Sequence, residues 1–568
     1  MKRISLTVLF FLSSFSLLFG QALDTGIQLY HEGDYKRALQ IFEQSDEPLA
    51  KLFAGKSYFA LGDFFKSKQQ LSQLTNSSSE EFLEAMYTRA LADFQLHNFA
   101  ESLDLLYEIK AKHNRSSVTS ASANFYNQLL DYLTLEQRFE VFRRSGYDEV
   151  RLDVLESALG KVEYGAVQAM YKSYEQSLQV SGANQNRLSS IGALISDPVA
   201  YNQRYNPGSY AKAPDGISYQ LGVVLPQFDE TSEQYEITQN LYFGIQMAVD
   251  RFNSENSGKK VFLTYQDTKM DPEAAPAIAN DLIWNAQADA IIGPLFSEVA
   301  EEFSEYAERY ETPLLLPLAN SDRINLDLNY TFQFNPTFAV QGKKMARYAY
   351  QDLGYDTVAV IAEKNSLGEP SAISFYEEFS NLGGNIVRYN IQDLESQGYD
   401  IREYTSYLNP ENDTTFTVDV DAIYAPFTGV VASSLINSLL TQVQAASSDI
   451  TILGSEEWES IDLETYGLTD NQVFYTQSFS VAAGNMDKDQ FDSEFRLRFE
   501  TTPNEFAYLG FDITKVLLNS LQEVQNPAYL KKGLKETRSY KGYALDVSFD
   551  GQHINQAVRI KKIETTRN

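Results

Sequence analysis

Hydroxyl and amide side chains stand just after three short apolar runs in the middle of the chain, where they could bind a small molecule. The turns that carry them are Pro226–Phe228, Gly293–Ser297 and Pro317–Ser321. Ser297 also precedes a helix-length segment, and a hydroxyl beside the N–H groups of a helix start can hold an anion. A serine at that position is also a common N-cap, so the sequence leaves both roles open.

The elements that place these turns alternate between apolar runs and helix-length segments. The runs lack strict alternation, as strands covered on both faces do, and they are Tyr219–Leu225, Val261–Tyr265, Ala290–Ile292 and Pro313–Leu318. The segments between them are Gln239–Ser254, Asp271–Ala286 and Ser297–Tyr310. This succession predicts βαβ units with right-handed crossovers. Because ligands collect beyond the carboxyl ends of strands in such sheets, we expect half of a ligand-binding cleft here.

A second set of strands and helices continues to the C-terminus. The chain is predicted to cross into it near Asn335 and to return near Phe479. The strands expected between these points are Thr357–Ala362, Ile386–Tyr389, Ala422–Pro426, Ile450–Gly454 and Val473–Phe479. A polar insertion, Asn409–Phe416, is expected to be a surface loop, and a closing hairpin is predicted from Tyr543–Phe549 and Ala557–Ile563. The pattern therefore predicts an α/β domain over residues 217–568, with lobe one at about 217–334 and 480–535 and lobe two at 335–479.

The order of motifs in this domain resembles that of type I periplasmic solute-binding proteins of the leucine/isoleucine/valine-binding kind. The stretches that carry the resemblance are LGVVLP, LYFGIQMAVDRFN, YQDTKMDPEAAPAIANDLI, ADAIIGPLFSEVA, TPLLLPLAN, DAIYAPF and TILGSEEW. The resemblance implies two lobes joined by a hinge that close on a small ligand, often an amino acid.

The same resemblance implies which residues bind the ligand. The matching positions are Ser297, Ala319 and Asn320 in lobe one, and Phe427, Thr428 and Glu456 in lobe two. The lobe-one groups would meet the ligand carboxylate, and Glu456 would meet its ammonium. Two positions depart from the family pattern, because Asn320 replaces a hydroxyl and Leu367 replaces an aromatic residue. Glu456 also suits the first turn of a helix, which is a purely structural role.

Catalytic motifs are not found in the sequence. There is no GxxxxGK[ST], HExxH or GxGxxG, and none of the four histidines falls at a predicted strand end of the cleft. Asp419-x-Asp421 offers too few oxygen ligands for a calcium loop. We therefore expect no enzyme activity, no cofactor and no bound metal, and hydrolysis is only a remote alternative.

Charge and composition exclude further classes. The 568 residues carry a formal charge of −31, and nucleic acid is an unsuitable partner because phosphates bind clustered Lys and Arg. The chain has no cysteine, which excludes disulfides, thiolate catalysis and the lipidated cysteine of a bacterial lipoprotein. Lys2-Arg3 precedes the apolar run Ile4–Phe19, an order typical of a secretory signal peptide. We expect residues 1–22 to be that peptide and the protein to be periplasmic.

A helical pattern recurs in residues 23–180. Its copies begin at Gly33-Asp34-Tyr35, Gly62-Asp63-Phe64 and His97-Asn98-Phe99. A small residue lies seven positions before each copy, where two helices would approach closely, and these residues are Gly26, Gly55 and Ala90. The pattern resembles the tetratricopeptide repeat, whose stacked helix pairs form a groove for a peptide or protein. A spacer that folds on the rest of the chain is the alternative.

Residues 181–216 are polar and rich in Asn, Gly, Ser and Pro, which predicts a linker.

Helical repeats before a type I binding domain also resemble the layout of the lipoprotein activators of penicillin-binding proteins. Two functions follow as hypotheses. The first is a receptor for a small polar ligand, an amino acid or short peptide, that also contacts a protein such as a transporter. The second is a ligand-independent scaffold that regulates a cell-wall synthase.

Overall fold

The computed structural model describes residues 22–74, 80–112, 117–177, 182–204, 211–232, 234–408, 419–481 and 486–564. The predicted signal peptide, apart from residue 22, and the predicted loop Asn409–Phe416 lie outside these ranges. The chain divides into two compact units. One contains Met1–Tyr219, Glu255–Phe262 and Val524–Ala528, and the other contains Gln220–Ser254, Leu263–Glu523 and Tyr529–Asn568.

The described residues up to position 204 form twelve helices. They are α1 (22–31), α2 (Tyr35–Phe42), α3 (Pro48–Ala60), α4 (Phe64–Leu71), α5 (Glu80–Gln95), α6 (Phe99–Lys112), α7 (Ser117–Tyr132), α8 (Leu135–Arg144), α9 (Asp148–Ala158), α10 (Tyr164–Ser177), α11 (Gly182–Leu194) and α12 (Pro198–Arg204). This all-helical region confirms the predicted helical array.

Neighbouring helices approach closely at the small residues of the repeat pattern. A Cβ on Gly26 would overlap the ring of Phe42, and a Cβ on Gly55 would overlap the side chain of Leu71. In the third copy, Ser102 Oγ donates a hydrogen bond to the carbonyl oxygen of Ala90 at 2.7 Å. The small residues in α1 and α3 are therefore needed because a large side chain of the following helix packs directly on their backbone.

The prediction of a linker is wrong for residues 182–204, which form α11 and α12. Leu188 and Ile191 of α11 are buried, and so is Tyr201 of α12. The Tyr201 hydroxyl accepts a hydrogen bond from the backbone N–H of Gly160 at 3.0 Å. These apolar side chains extend the helical array, although the surrounding Asn, Gly and Ser residues give the segment the composition of a linker.

The first half of the α/β region alternates strands with helices. Its elements are β1 (Ile217–Leu225), α13 (Tyr235–Glu255), β2 (Lys259–Asp267), α14 (Ala275–Asn280), β3 (Ala290–Ile292), α15 (Ser297–Arg309), β4 (Leu314–Leu316) and β5 (Thr331–Gln333). The strands form one sheet in the order β2-β1-β3-β4-β5. The pairs β1–β3, β3–β4 and β4–β5 are parallel, as the near-continuous apolar strands predict. This sheet is the core of lobe one.

The second half of the α/β region builds the other sheet and closes the chain. Its elements are α16 (Phe338–Arg347), β6 (Thr357–Glu363), α17 (Glu369–Asn381), β7 (Asn385–Gln392), β8 (Ala422–Ala425), α18 (Ala432–Ala445), β9 (Thr451–Gly454), β10 (Val473–Gln477), α19 (Met486–Phe499), α20 (Glu505–Val524), α21 (Leu530–Lys535), β11 (Tyr540–Lys541), β12 (Asp546–Val547) and β13 (Arg559–Lys562). The lobe-two sheet has the order β13-β10-β9-β8-β6-β7. Two separate sheets confirm the predicted two-lobed fold.

The predicted closing hairpin is wrong in its pairing. Strand β12, within the predicted strand Tyr543–Phe549, pairs with β11 rather than with the C-terminal strand. The C-terminal strand β13 instead runs antiparallel to β10 and forms the edge of the lobe-two sheet. A turn at Asp550-Gly551 is compatible with either pairing. β13 pairs with β10 because β10 would otherwise be an edge strand with unpaired backbone N–H and C=O groups.

The chain passes between the lobes three times, and buried side chains join the crossings. The first crossing follows β5, the second follows β10 and the third precedes β13. Gln341 Nε2 donates to Pro336 O in the first crossing and to Ser478 Oγ in the second, both at 3.2 Å. Asn555 Nδ2 in the third crossing donates to Phe334 O at 2.9 Å. The three crossings are therefore one hydrogen-bonded hinge.

Candidate ligand-binding site between the two lobes

Ser297 is the first residue of α15, and the N-cap position before it belongs to Phe296. Because Ser297 lies inside the helix, it does not have the N-cap role that the sequence left open. Phe296 makes no side-chain capping bond. Ser297 is half-buried, and it follows a turn in which a Cβ on Gly293 would overlap Val224 O. That close approach needs glycine and fixes where the α15 N-terminus emerges beyond β3. The first N–H groups of α15 and the Ser297 hydroxyl are suited to bind an anionic group.

Two amide side chains hold the turn after β4, one from the last residue of β5 and one from the first crossing. Gln333 Nε2 donates to Ala319 O at 3.3 Å, and Asn335 Nδ2 donates to Leu318 O at 2.9 Å. Ala319 is buried, so its side chain packs in the lobe, whereas Asn320 beside it is half-buried. Of the two predicted residues in this turn, Asn320 is the one whose side chain is accessible to a ligand.

Phe427 and Thr428 follow β8 in lobe two, and both are buried. Phe427 belongs to the apolar core of lobe two together with Leu435 and Trp458. The structure therefore corrects the predicted role of Phe427, which is a core residue because the end of β8 turns its ring inward. Thr428 keeps only 3% of its surface exposed, and its Oγ1 has no hydrogen-bond partner among the described residues. It remains a candidate ligand-binding residue.

Glu456 begins the short helical turn after β9 and is the most strongly perturbed carboxyl group of the cleft. Burial, and after it the negative charges of Glu457, Glu459 and Glu505, raise the pKa of Glu456 to about 7, against a hydrogen bond from the backbone of Ser478. Burial, and then the charge of Glu459, also raise the pKa of Glu505. Glu505 begins α20, which packs on α13 of lobe one, so acids from both lobes face the same space.

No described Lys, Arg or His forms an ion pair with any of these four acids. The partners that they have are neutral donors. Gln477 Nε2 donates to both carboxylate oxygens of Glu459 at 3.1 Å, and the N–H of Gly429 donates to Glu457 at 3.0 Å. Glu456 and Glu457 are half-buried, and Glu459 and Glu505 are exposed. A cation that entered from solvent could therefore reach the cluster, and it would offset the repulsion between the negative charges.

Exposed apolar side chains border the polar groups. Phe296 precedes α15 in lobe one and has 42% of its surface exposed, and Leu367 follows β6 in lobe two with 59% exposed. Val430, after β8, is fully exposed. Leu367 occupies the position where the family resemblance places an aromatic residue, and its exposure shows that the side chain is free to contact a ligand or the opposite lobe.

Sequence reasoning missed part of this arrangement. Glu459 and Gln477 were not singled out, although the run Glu456–Ser460 shows three acids within four positions. Glu505 lies 49 positions from Glu456, and only the fold brings the two together. The supporting amides Gln333 and Asn335 were also missed, because nothing in an isolated Gln or Asn indicates that it will hold a turn on another strand.

Fold and site together define a two-lobed binding protein. The model of the family described as periplasmic binding protein matches residues 222–567. The chain belongs to the periplasmic binding protein family, which implies a location outside the cytoplasm. No curated protein sequence matches the chain.

Three solved structures illustrate the fold similarity. A putative branched-chain amino acid ABC transporter from Rhodospirillum rubrum is 21% identical, with 61% of this chain and 96% of that chain covered and a TM-score of 0.48. The substrate-binding protein LivJ from Streptococcus pneumoniae, in complex with isoleucine, is 19% identical, with 61% and 100% covered and a TM-score of 0.39. A solute-binding protein from Rhodopseudomonas palustris BisB5, in complex with 3,4-dihydroxy benzoic acid, is 15% identical, with 61% and 94% covered and a TM-score of 0.42.

The described residues provide neither a candidate membrane span nor a candidate metal site. None of the helices formed by these residues has the length and apolar character to span a membrane. Likewise, no group of three or more His, Asp or Glu side chains in the described ranges is placed to hold a metal ion.

Proposed function

We propose that this protein is a non-enzymatic periplasmic receptor that closes its two lobes on a small, amino-acid-like ligand with an ammonium group. The observation that carries the proposal is the acid cluster of Glu456, Glu459 and Glu505, which draws on both lobes and has no cationic partner among the described residues. A cation at its centre would make ionisation of Glu456 favourable and bring its pKa down. Binding of the ammonium would therefore stabilise the closed arrangement of the lobes.

The other end of the ligand would be bound by lobe one. A carboxylate would accept hydrogen bonds from the N-terminus of α15, the Ser297 hydroxyl and the Asn320 amide. Closure would exclude water from the cleft and strengthen both interactions, because the local dielectric constant falls. The hinge hydrogen bonds of Gln341 and Asn555 support this motion by joining the three crossings.

The test is a thermal-shift and calorimetry screen over amino acids, short peptides and the corresponding amines. A ligand at a hundredfold excess over its Kd stabilises the folded state by about 2.7 kcal/mol. Glu456→Gln should abolish that shift, whereas Glu403→Gln, at an exposed acid of the same lobe, should leave it intact. The proposal fails if no amine-bearing ligand stabilises the protein, or if the Glu456→Gln variant binds as tightly as the wild type.

The helical region would supply a protein-binding groove. A cavity of about 410 Å³ lies among α1, α3, α5 and α7, and its lining residues include Tyr30, Phe59, Tyr87, Leu91 and Val118. Lys56 and Glu84, which form an ion pair, lie at the same cavity. Mixed aromatic and charged lining suits an extended peptide of a partner protein, such as a transporter subunit.

The same groove favours a second candidate function, in which the protein is a scaffold that regulates a cell-wall synthase and the cleft needs no ligand. Crosslinking in intact cells, followed by purification of the tagged protein, distinguishes the two. Recovery of transporter subunits supports the receptor, whereas recovery of a synthase, unchanged in the Glu456→Gln variant, supports the scaffold. We also propose that residues 1–22 are removed as a signal peptide, which the mass of the mature protein would test.

A further inference from the structure

A second candidate site lies on lobe one, beyond the carboxyl ends of β1 and β2. It is a cavity of about 310 Å³. Four aromatic rings line it, from Phe228, Tyr235, Tyr242 and Tyr265. Gln227 and Gln239 are among the polar residues of the lining. In the sheet order, β2 and β1 precede β3 and β4, whose turns carry Ser297 and Asn320. The aromatic cavity therefore lies beyond different strands from Ser297 and Asn320, and it contains the turn Pro226–Phe228, the first of the three turns predicted to carry ligand-binding groups.

A larger polar cavity of about 650 Å³ adjoins the aromatic one, since Tyr235 and Gln239 line both. Its other lining residues carry hydroxyl, amide and carboxylate groups, and they include Ser232, Glu236, Asn240, Thr501, Thr502 and Asn504. No lysine or arginine belongs to the described lining of either cavity. The two cavities form a groove along α13 that is aromatic at one end and rich in neutral hydrogen-bonding groups at the other.

The aromatic end is held in place by the fold. Tyr235, Gln239 and Tyr242 lie at positions i, i+4 and i+7 and so share one face of α13. Gln239 Nε2 donates to the Tyr235 hydroxyl at 2.6 Å, and the Tyr265 hydroxyl donates to Leu225 O at 3.0 Å. The rings of Tyr242 and Tyr265 are 5.3 Å apart in an edge-to-face arrangement. Rings that are fixed before binding lose little conformational entropy when a ligand packs on them.

We propose that this groove binds an oligosaccharide without acidic groups. One face of a sugar ring consists of C–H groups and packs on an aromatic ring, while its edge carries hydroxyls that need amide, hydroxyl and carboxylate partners. The groove offers both kinds of group side by side, and its volume lies in the range of ordinary ligand sites. Sulfated and uronic-acid sugars are excluded because Glu236 is present and no basic lining residue would bind their charge.

The test is calorimetry and saturation-transfer NMR on the full mature protein, with chitotetraose and maltotetraose as neutral probes. A heparin-derived tetrasaccharide is the acidic probe, and choline tests whether the aromatic rings instead bind a quaternary ammonium. We expect at least one neutral tetrasaccharide to bind and neither of the other two to do so. Absence of binding by both neutral sugars at millimolar concentration, or binding of choline alone, would overturn the proposal.

Three variants locate the binding. Tyr265→Ala should weaken it about tenfold, as truncation of a central aromatic contact does, and Tyr265→Phe should retain it because the ring stays. Trp284→Ala is the matched control, since Trp284 is an exposed aromatic residue of the same lobe, with 58% of its surface exposed, outside both cavities. Circular dichroism checks that each variant is folded. Equal affinity in folded Tyr265→Ala and wild-type protein would refute the site.

Discussion

The ionisation of Glu456 depends on whether a cation is bound in the cleft. Burial and three neighbouring acids raise its pKa to about 7, so near neutral pH it is only partly ionised when no cation is bound. The unfolded chain ionises the same group near the ordinary value for glutamate, about 4.3. The folded state therefore binds this proton more tightly than the unfolded state, and the stability gained from it is lost as the pH rises through 7.

The first prediction follows from that difference. Glu456→Gln removes the ionisation, so the free energy of unfolding of the variant should exceed that of the wild type at pH 8, by roughly 1–2 kcal/mol after allowance for partial exposure. At pH 5 the advantage should fall to less than half, because the folded group stays protonated and the pH exceeds the unfolded pKa by less than one unit. Urea unfolding at several pH values measures this, and an equal difference at pH 5 and pH 8 would contradict it.

Asp512 is a second buried carboxylate, but its partners are internal. It accepts hydrogen bonds from the backbone N–H groups of Tyr543, Ala544 and Leu545, and from the Tyr540 hydroxyl. Burial raises the pKa of Asp512 to about 6, against these hydrogen bonds. Asp512 therefore joins α20 to the loop between β11 and β12, and its perturbed pKa has a structural cause.

The second prediction is that Asp512→Ala destabilises the protein by about 3 kcal/mol, because three N–H groups, two of them buried, lose their acceptor. Asp449→Ala is the control, since Asp449 is exposed, has no positive φ and forms no ion pair with a described residue. That variant should change the free energy of unfolding by less than about 0.5 kcal/mol. Chemical unfolding of both variants gives the comparison, and similar values for the two would show that the loop does not depend on Asp512.

At the scale of elements, helices α13 and α20 cross almost in backbone contact. A Cβ on Gly244 would overlap Ala507 O, and a Cβ on Gly510 would overlap Leu241 O. Neither glycine has a positive φ, so space rather than backbone conformation demands glycine at both positions. This crossing fixes α20, and with it Glu505, against lobe one.

The third prediction is that Gly244→Ala destabilises the protein by about 3 kcal/mol or more, because the added methyl group forces the two backbones apart. Gly165→Ala is the matched control, since Gly165 also lies in a helix and has no atom near its Cβ position. That variant should be neutral or more stable by up to about 1 kcal/mol. Thermal unfolding of the two variants checks the pair, and a stable Gly244→Ala protein would mean that the helices can separate.

The elements also show what the sequence could and could not predict. The apolar runs located β1, β3 and β4 because strands buried on both faces need no partner to be recognised. The helices of residues 182–204 were missed because polar composition hid a few buried apolar side chains. The pairing of β13 was missed because hydrogen-bonding partners far apart in sequence leave no local signal. Likewise Ser297 and Glu456 could be proposed from strand ends, but the contribution of Glu505 depends on the crossing of α13 and α20.

At the scale of the whole α/β region, one buried amide joins the first and third crossings of the hinge between the lobes. Asn555 has none of its surface exposed. Its Nδ2 donates to Phe334 O and Asp546 O, and its Oδ1 accepts from the N–H groups of Ser548 and Ala557. The Nδ2 and the Oδ1 atoms of this one side chain therefore each make two hydrogen bonds with the backbone. The first and third crossings should therefore move as one body when the lobes open or close.

The fourth prediction is that Asn555→Asp is more damaging than Asn555→Ala. Both lose the two donated hydrogen bonds, and the alanine variant should lose about 2–4 kcal/mol of stability because four backbone groups are left without a partner. The aspartate variant adds a buried negative charge that faces the carbonyl oxygens of Phe334 and Asp546, which costs more. Asn381→Ala, at an exposed position, is the control. Hydrogen exchange should quicken first in residues 333–337 and 546–558 of the Asn555 variants. Uniform exchange across both lobes would instead mean that Asn555 contributes only general stability, and that the crossings are independent.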